Sequence, residues 1–262
     1  MIILWDHSYG KQEQQDLVIC RPLGIPESHD EAEMVACGWL ALDRPIWHEG
    51  RWQEAFYQSR STRVKLRNYR RPRESKEYQY NGKPIQMMEI RPEKNFLRWT
   101  GLQQVYDAYL KRTGYRDLYN PLTHVNARDT FLLYYQDEVT NLLGFSKIKR
   151  YWWQEDIMSV SRSYDDDDAV NNPDDCLAIE SVMHANTVPI SKITLDMELV
   201  WAKRKGADYF YMGSGYEKSS VYKAHIPGFQ YWTGTTWSSN KRRYIKLCER
   251  DSKISKISDL AK

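Results

Sequence analysis

Between Pro189 and Trp237 the chain runs helix, strand, then glycine-punctuated turn, and that order limits its fold more than any other stretch. Pro189 suits a first helical turn, which has no use for the N–H that proline lacks. Ile190, Ile193, Met197, Val200 and Trp201 recur at helical spacing and define one broad apolar face. Lys203, Arg204 and Lys205 follow, where cations suit the negative end of the helix dipole, and Gly206 ends the helix. Asp208–Met212 is a short aromatic run that reads as a buried strand. Gly213-Ser214-Gly215 comes next, then a second helix or turn carrying Tyr216, Lys218, Tyr222 and Lys223. An interior strand leading into such a turn is how α/β proteins place a binding site beyond a strand's carboxyl end.

The 262 residues have ample capacity for a core. With 38 basic residues against 35 acidic, bulk charge alone does not call for nucleic acid. The 10 Trp and 19 Tyr suit a stacking cleft, and equally a large core. No apolar run approaches the ~20 residues a membrane span needs, and Met1–Asp6 is too short for a signal peptide. Cys20, Cys37, Cys176 and Cys248 are scattered, which indicates neither a disulfide framework nor a zinc site. The expectation is a soluble cytoplasmic protein with no metal and no membrane partner.

Upstream, Ile2–Trp5 and Leu17–Cys20 read as short strands, and Glu27–Leu42 as a helix capped by Ser28. A basic block follows: Arg60, Arg63, Lys65, Arg67, Arg70, Arg71 and Arg73 occur without one intervening acid. It is either a solvated basic loop or a set of phosphate contacts. If the segment is extended, Arg63, Lys65 and Arg67 fall on one face. Asn81-Gly82 signals a type I′ hairpin, which Pro84 places at a sheet edge. Asn95–Thr113 reads as a helix ended by Gly114, and His124 as a packed polar residue. Strands are expected at Thr130–Gln136, Leu142–Trp153, Asp156–Ser163 and Cys176–His184, with Asp165–Asp168 a solvated turn. Two more are expected at Gln230–Trp237 and Lys241–Leu247. The shift of pattern near residue 125 divides the chain into an N-terminal α+β region, 1–125, holding the basic block, and a second domain, 126–262.

A meander followed by strand, helix, strand and helix resembles the GNAT acyltransferase fold, an α+β class with a mixed, mostly antiparallel sheet and flanking helices. Acetyl-CoA users of that fold cradle the pyrophosphate on a glycine-rich loop at a helix N-terminus. Here that position is His184–Ser191, which has no glycine, so acetyl-CoA is not the expected donor. The closer resemblance is to the GNAT-like arginyl/leucyl-tRNA–protein transferases. It is carried by Glu198-Leu-Val-Trp-Ala-Lys203, Tyr209-Phe-Tyr-Met-Gly213, Tyr216, Tyr222-Lys223, Pro227 and the upstream Ser59-Arg-Ser-Thr-Arg63. At the helix entrance this chain has Pro189-Ile-Ser-Lys192 where that family has Ser-Leu-Gly-Thr.

The resemblance implies an aminoacyltransferase that moves an aminoacyl group from tRNA to an amine acceptor, a protein or peptide N-terminus, by ester aminolysis. Aminoacyl-tRNA is then the co-substrate and no other cofactor is expected. Glu180 is the candidate base, the alternative being a half-buried glutamate paired with a cation. Tyr216, Tyr222 and Lys223 would hold the 3′-terminal adenosine, by stacking and by phosphate contact. Arg60, Arg63, Lys65 and Arg67, with Lys218 and Lys223, would grip the acceptor end of the tRNA. Two other readings stand beside this one: an acyl-CoA-dependent GNAT N-acyltransferase, and a non-catalytic GNAT-like binding module.

Overall fold

A computed structural model describes residues 2–6, 21–27, 31–42, 45–71, 78–92, 101–114, 120–123, 125, 129–154, 175–216 and 218–253. The strands expected at Leu17–Cys20 and Asp156–Ser163, the cap at Ser28, His124 and the Asp165–Asp168 run lie outside these residues. The N-terminal third holds β1 (Ile2–Asp6), β2 (Arg21–Ile25), α1 (Glu31–Ala36), β3 (Trp39–Ala41), β4 (Ile46–His48), β5 (Arg51–Gln53), β6 (Phe56–Gln58) and β7 (Ser61–Lys65). Then come β8 (Gln79–Tyr80), β9 (Lys83–Pro84), β10 (Gln86–Ile90), α2 (Leu102–Thr113), β11 (Thr130–Tyr135) and β12 (Leu142–Gln154). The last third holds β13 (Asp175–Asn186), α3 (Ser191–Arg204), β14 (Tyr209–Ser214), β15 (Phe229–Trp232), β16 (Trp237–Ser238) and α4 (Lys241–Asp251). The class is mixed α+β with a large, mostly antiparallel sheet, consistent with the GNAT-like layout read from sequence.

Local chemistry accounts for most boundaries. Asn81 and Gly82 both take positive φ, 51° and 76°, and turn β8 into β9. Gly114 takes φ 71° at the end of α2 and its N–H bonds the carbonyl of Leu110. Four expectations are corrected. The helix expected over Glu27–Leu42 stops at Ala36, because Gly38 (φ 81°) reverses the chain and Trp39–Ala41 pair with β6 as a buried strand. A Cβ at Gly38 would lie 2.3 Å from the Trp232 ring, so only glycine fits there. Helix α3 begins at Ser191 rather than at Pro189. The strand expected over Gln230–Trp237 is broken by a turn in which Thr233 N–H and the carbonyl of Thr236 bond at 2.9 Å. The last correction is the largest: Lys241–Asp251 is a helix, not a strand. Asn240 caps it by accepting from Arg243 N–H, and Tyr244, Cys248 and Asp251 are buried at i, i+4 and i+7.

The chain forms two compact units, neither contiguous in sequence: Met1–Tyr69 with Arg150–Ile179 and Ala207–Lys262, and Arg70–Lys149 with Glu180–Gly206. In the first, β14, β7, β15 and β16 are successive antiparallel neighbours. Strand β7, from the N-terminal third, therefore lies between two strands from the C-terminal third. Val64 faces Phe210 on one side and Phe229 on the other, and Arg63 faces Tyr211 and Gln230. The Val64 face is closed by α4, whose Tyr244 ring lies 4.7 Å from Phe229 and 5.3 Å from Tyr231. A second sheet runs β1-β2-β6-β3. In the other unit β10, β11 and β12 make an antiparallel meander. Leu102, Val105 and Tyr106 of α2 pack there on Phe131, Leu133, Phe145 and Ala185.

Candidate functional site

The face of β7 opposite Val64 carries Arg63, which is buried (7 % exposed) although it belongs to the most basic stretch of the chain. Its strand partners explain how. Side chains directly across antiparallel strands share a face, and the neighbours of Arg63 and Lys65 on that face are Tyr211, Tyr209, Gln230 and, one strand further, Trp237. The guanidinium carbon lies 3.8 Å from the Tyr209 ring centre and 4.0 Å from that of Trp237. Its Nε donates to Gln230 Oε1 at 2.9 Å, and one terminal nitrogen donates to the Tyr211 hydroxyl at 3.1 Å. Among the described residues no carboxylate pairs with it. Aromatic faces and neutral acceptors take that place, an arrangement that suits a planar, delocalised cation. Lys65 is half-buried beside it, its ammonium 5.4 Å from the Tyr209 ring.

The other end of β7 is tied to the turn after β14. Arg60 N–H donates to the Tyr216 hydroxyl at 2.8 Å, and its guanidinium lies 4.9 Å from the Tyr216 ring centre. The same guanidinium forms an ion pair with Asp251, buried at the end of α4, and reaches the carbonyl of Gly215 at 3.3 Å. Thr62 Oγ1 donates to the carbonyl of Gly213 at 2.7 Å. Gly215 is required by close approach: a Cβ there would lie 2.2 Å from the Tyr244 hydroxyl. Burial pushes the ionisation of that hydroxyl up, helped by neighbouring Cys248. Lys223 Nζ donates to the carbonyls of Met212 and Ser214, each at 2.7 Å, from a buried position.

These placements correct part of the expected site. Three cations on an exposed face of β7 do not occur, because Arg63 is packed against Tyr209, Tyr211, Gln230 and Trp237 and Lys65 is half-buried beside Tyr209; of the four, only Arg67, just past its end, is exposed. Arg60 is committed to Asp251, and Lys223 to the backbone at the carboxyl end of β14. Lys218 and Tyr222 are exposed, and Tyr216 is half-buried against Arg60. All eight of these residues belong to one compact unit, while Glu180, buried on β13, belongs to the other. Sequence reasoning missed Asp251, Gln230 and Trp237. The i, i+4, i+7 spacing of Tyr244, Cys248 and Asp251 behind an asparagine cap was the available signal for the first.

A second buried polar cluster lies in the other unit. Glu198 of α3 accepts from the Tyr134 hydroxyl at 2.7 Å and from Ser146 Oγ at 2.5 Å. Desolvation raises its carboxyl above the ordinary range, against the pull of hydrogen bonds from Ser146, Tyr134 and Ser181. Burial, with the Glu198 charge beside it, pushes Tyr134 up as well. This explains why the Glu198-Leu-Val-Trp-Ala-Lys203 stretch holds an acid on an otherwise inward-facing helix surface.

No family model matches the sequence, and no curated protein matches it either. Among solved structures, L-PGS from Bacillus licheniformis is similar over 85% of this chain and 64% of its own, at 14% identity and a TM-score of 0.41. The C-terminal domain (DUF2156) of a putative lysylphosphatidylglycerol synthetase from Agrobacterium fabrum is similar over 63% of this chain and 49% of its own. Its identity is 10% and its TM-score 0.39. The chain thus spans less than two thirds of the length of either protein. Likeness this shallow transfers neither substrate nor mechanism. Among the described residues no helix is long and apolar enough to cross a membrane.

Proposed function

We propose that this chain is an aminoacyl-tRNA-dependent transferase that moves an aminoacyl group to an amine, on a protein or peptide N-terminus, by ester aminolysis. One observation carries the reading. The two stretches that resemble the arginyl/leucyl-tRNA–protein transferases, Ser59–Arg63 and Tyr209–Tyr216, are about 150 residues apart in the chain and pair side by side as β7 and β14. Arg63 stands opposite Tyr211, and the Arg60 N–H bonds Tyr216. A resemblance scattered by chance over the sequence has no reason to meet in one strand pair.

The reaction suits such a frame. An aminoacyl ester is already activated, so the protein needs to hold the acceptor amine against the ester carbonyl, stabilise the oxyanion and remove a proton from the amine. Positioning alone is worth up to about 7–11 kcal/mol in ideal cases, and oxyanion donors add to it. In this reading Arg67, Lys65, Lys218 and Tyr222 meet the RNA, Arg60 and Lys223 set the turn that carries Tyr216, and Glu180 accepts the proton. The experiment is transfer from tRNA charged with a mixture of labelled amino acids to a peptide with a free α-amine. Label should appear in the peptide, and Glu180→Gln, checked for an unchanged circular dichroism spectrum, should slow turnover by roughly 10²–10⁴-fold. Absence of transfer with every charged tRNA, or micromolar binding of acetyl-CoA, would overturn the reading.

A further inference from the structure

Arg63 itself is buried, but the outer face of α4 carries an exposed basic surface. Arg242 and Lys246 lie on the side of α4 opposite buried Tyr244, Cys248 and Asp251, Arg243 and Arg250 lie on its flank, Lys253 follows just past its end, and Lys241 opens it. All six are exposed, against a single exposed acid, Glu249. Of these six, only Arg250 is paired with a carboxylate among the described residues, that of Asp251, which Arg60 shares. Arg242, Lys246 and Arg250 succeed one another at i, i+4, so their stems leave the helix about 6 Å apart along one line. Like charges at that spacing disfavour an isolated helix by a few tenths of a kcal/mol per pair. The helix is held nonetheless by its cap, its buried stripe and the Arg60–Asp251 pair.

The surface continues beyond the helix. Lys218 N–H donates to Ser252 Oγ at 2.9 Å, which brings exposed Lys218 to the end of α4, next to Lys253. The Tyr244 hydroxyl donates to the carbonyl of Ser220 at 3.2 Å and ties the segment bearing exposed Tyr222 to the same helix. We infer that the outer face of α4, with Lys218, docks the sugar-phosphate backbone of a short RNA duplex. Tyr222 beside it is the aromatic that a single-stranded 3′ extension of that duplex would reach. The inference rests on the aminoacyl-tRNA reading for the identity of the RNA, an acceptor arm, and on charge complementarity for the contact. An anionic bilayer is the competing polyanion. A helix that binds a membrane surface turns an apolar face to the lipid, and here Tyr244 already packs on Phe229 and Tyr231 of the sheet and Cys248 is buried. Arginine forks spaced along one helix line suit discrete phosphates instead.

The test uses the full chain and an uncharged RNA minihelix with a four-nucleotide 3′ overhang, so that binding is read without any ester. Arg242→Gln/Arg243→Gln/Lys246→Gln removes three cations and keeps good helix formers. Lys111→Gln/Lys192→Gln/Arg70→Gln, on exposed residues of the other unit, is the charge-matched control. The parent should bind the minihelix. The α4 variant should bind at least roughly tenfold more weakly, with a log–log salt slope flatter by about 2–3, since each phosphate contact contributes about 0.7–0.9. The control should keep the parent's slope. No binding by the parent, or equal losses in variant and control, overturns the inference. So does a variant that keeps RNA binding but loses binding to phosphatidylglycerol–phosphatidylcholine vesicles, which would make α4 a membrane-facing element. A parent that binds RNA through α4 and transfers nothing leaves this inference standing and removes the enzymatic reading. Normal transfer with an α4 variant of unchanged RNA affinity does the reverse.

Discussion

Arg63 and Glu198 are both buried ionisable groups, and the fold accommodates them in opposite ways. The Arg63 guanidinium is met by the Tyr209 and Trp237 faces and by two neutral acceptors. Glu198 can gain a proton, and burial favours the neutral form despite three hydrogen bonds that oppose it. The native carboxyl therefore holds its proton to higher pH than the unfolded one. Below the ordinary carboxylate value both states are protonated and the contribution of Glu198 is fully present. As pH rises from there through the raised native value, the folded state binds more protons than the unfolded state and stability falls. Urea unfolding across pH 4 to 8 should show this decline in the parent and a flatter profile in Glu198→Gln, which keeps an oxygen to accept from Tyr134 and Ser146. Identical profiles would mean that Glu198 ionises as readily folded as unfolded.

At the scale of the element, α4 shows how a cap and a buried stripe can overrule local composition. Lys241-Arg-Arg-Tyr-Ile-Lys-Leu carries no acid in its first turn and begins with three cations at the positive end of the dipole, the unfavourable arrangement. Asn240 offsets this by accepting from Arg243 N–H at 3.0 Å, and the Tyr244 ring anchors the helix on β15. Asn240→Ala should cost about 1 kcal/mol by chemical denaturation, near the middle of the range for such caps. Asn240→Asp should cost little, since it keeps the acceptor and adds a negative charge beside the three cations. An alanine variant as stable as the parent would show that the buried stripe alone holds α4.

For the whole molecule, the decisive feature is that β7 completes the sheet of the first unit from a distant part of the chain. Between β14 and β15 it supplies both neighbours of their backbone ladders, and Val64 fills the gap between Phe210 and Phe229. A fragment of residues 126–262, the division that the change of pattern near residue 125 suggests, lacks β7 and leaves two hydrophobic edges unpaired. That fragment should show no cooperative thermal transition and should aggregate, whereas adding residues 1–125 in trans should restore a soluble complex. A monomeric, cooperatively folding 126–262 fragment would show that β14 and β15 can close on each other without the inserted strand.

How much of this was legible in the sequence depends on how far apart the deciding residues lie. Helix α3, strand β14, the Asn81-Gly82 turn and the Gly114 stop follow from propensity, periodicity and backbone dihedral limits within a dozen residues, and the chain has each within about two residues of where those rules put it. The α+β class followed from their order. The resemblance of Ser59–Arg63 and Tyr209–Tyr216 to one family was also visible, but nothing local said that the two would touch. Their pairing, the burial of Arg63 and the use of Lys223 as a backbone strut were decided only in three dimensions. A strand's neighbours and the side that a charge faces depend on which edges remain open once the rest has folded. That is a property of the assembled sheet, and no window of sequence contains it.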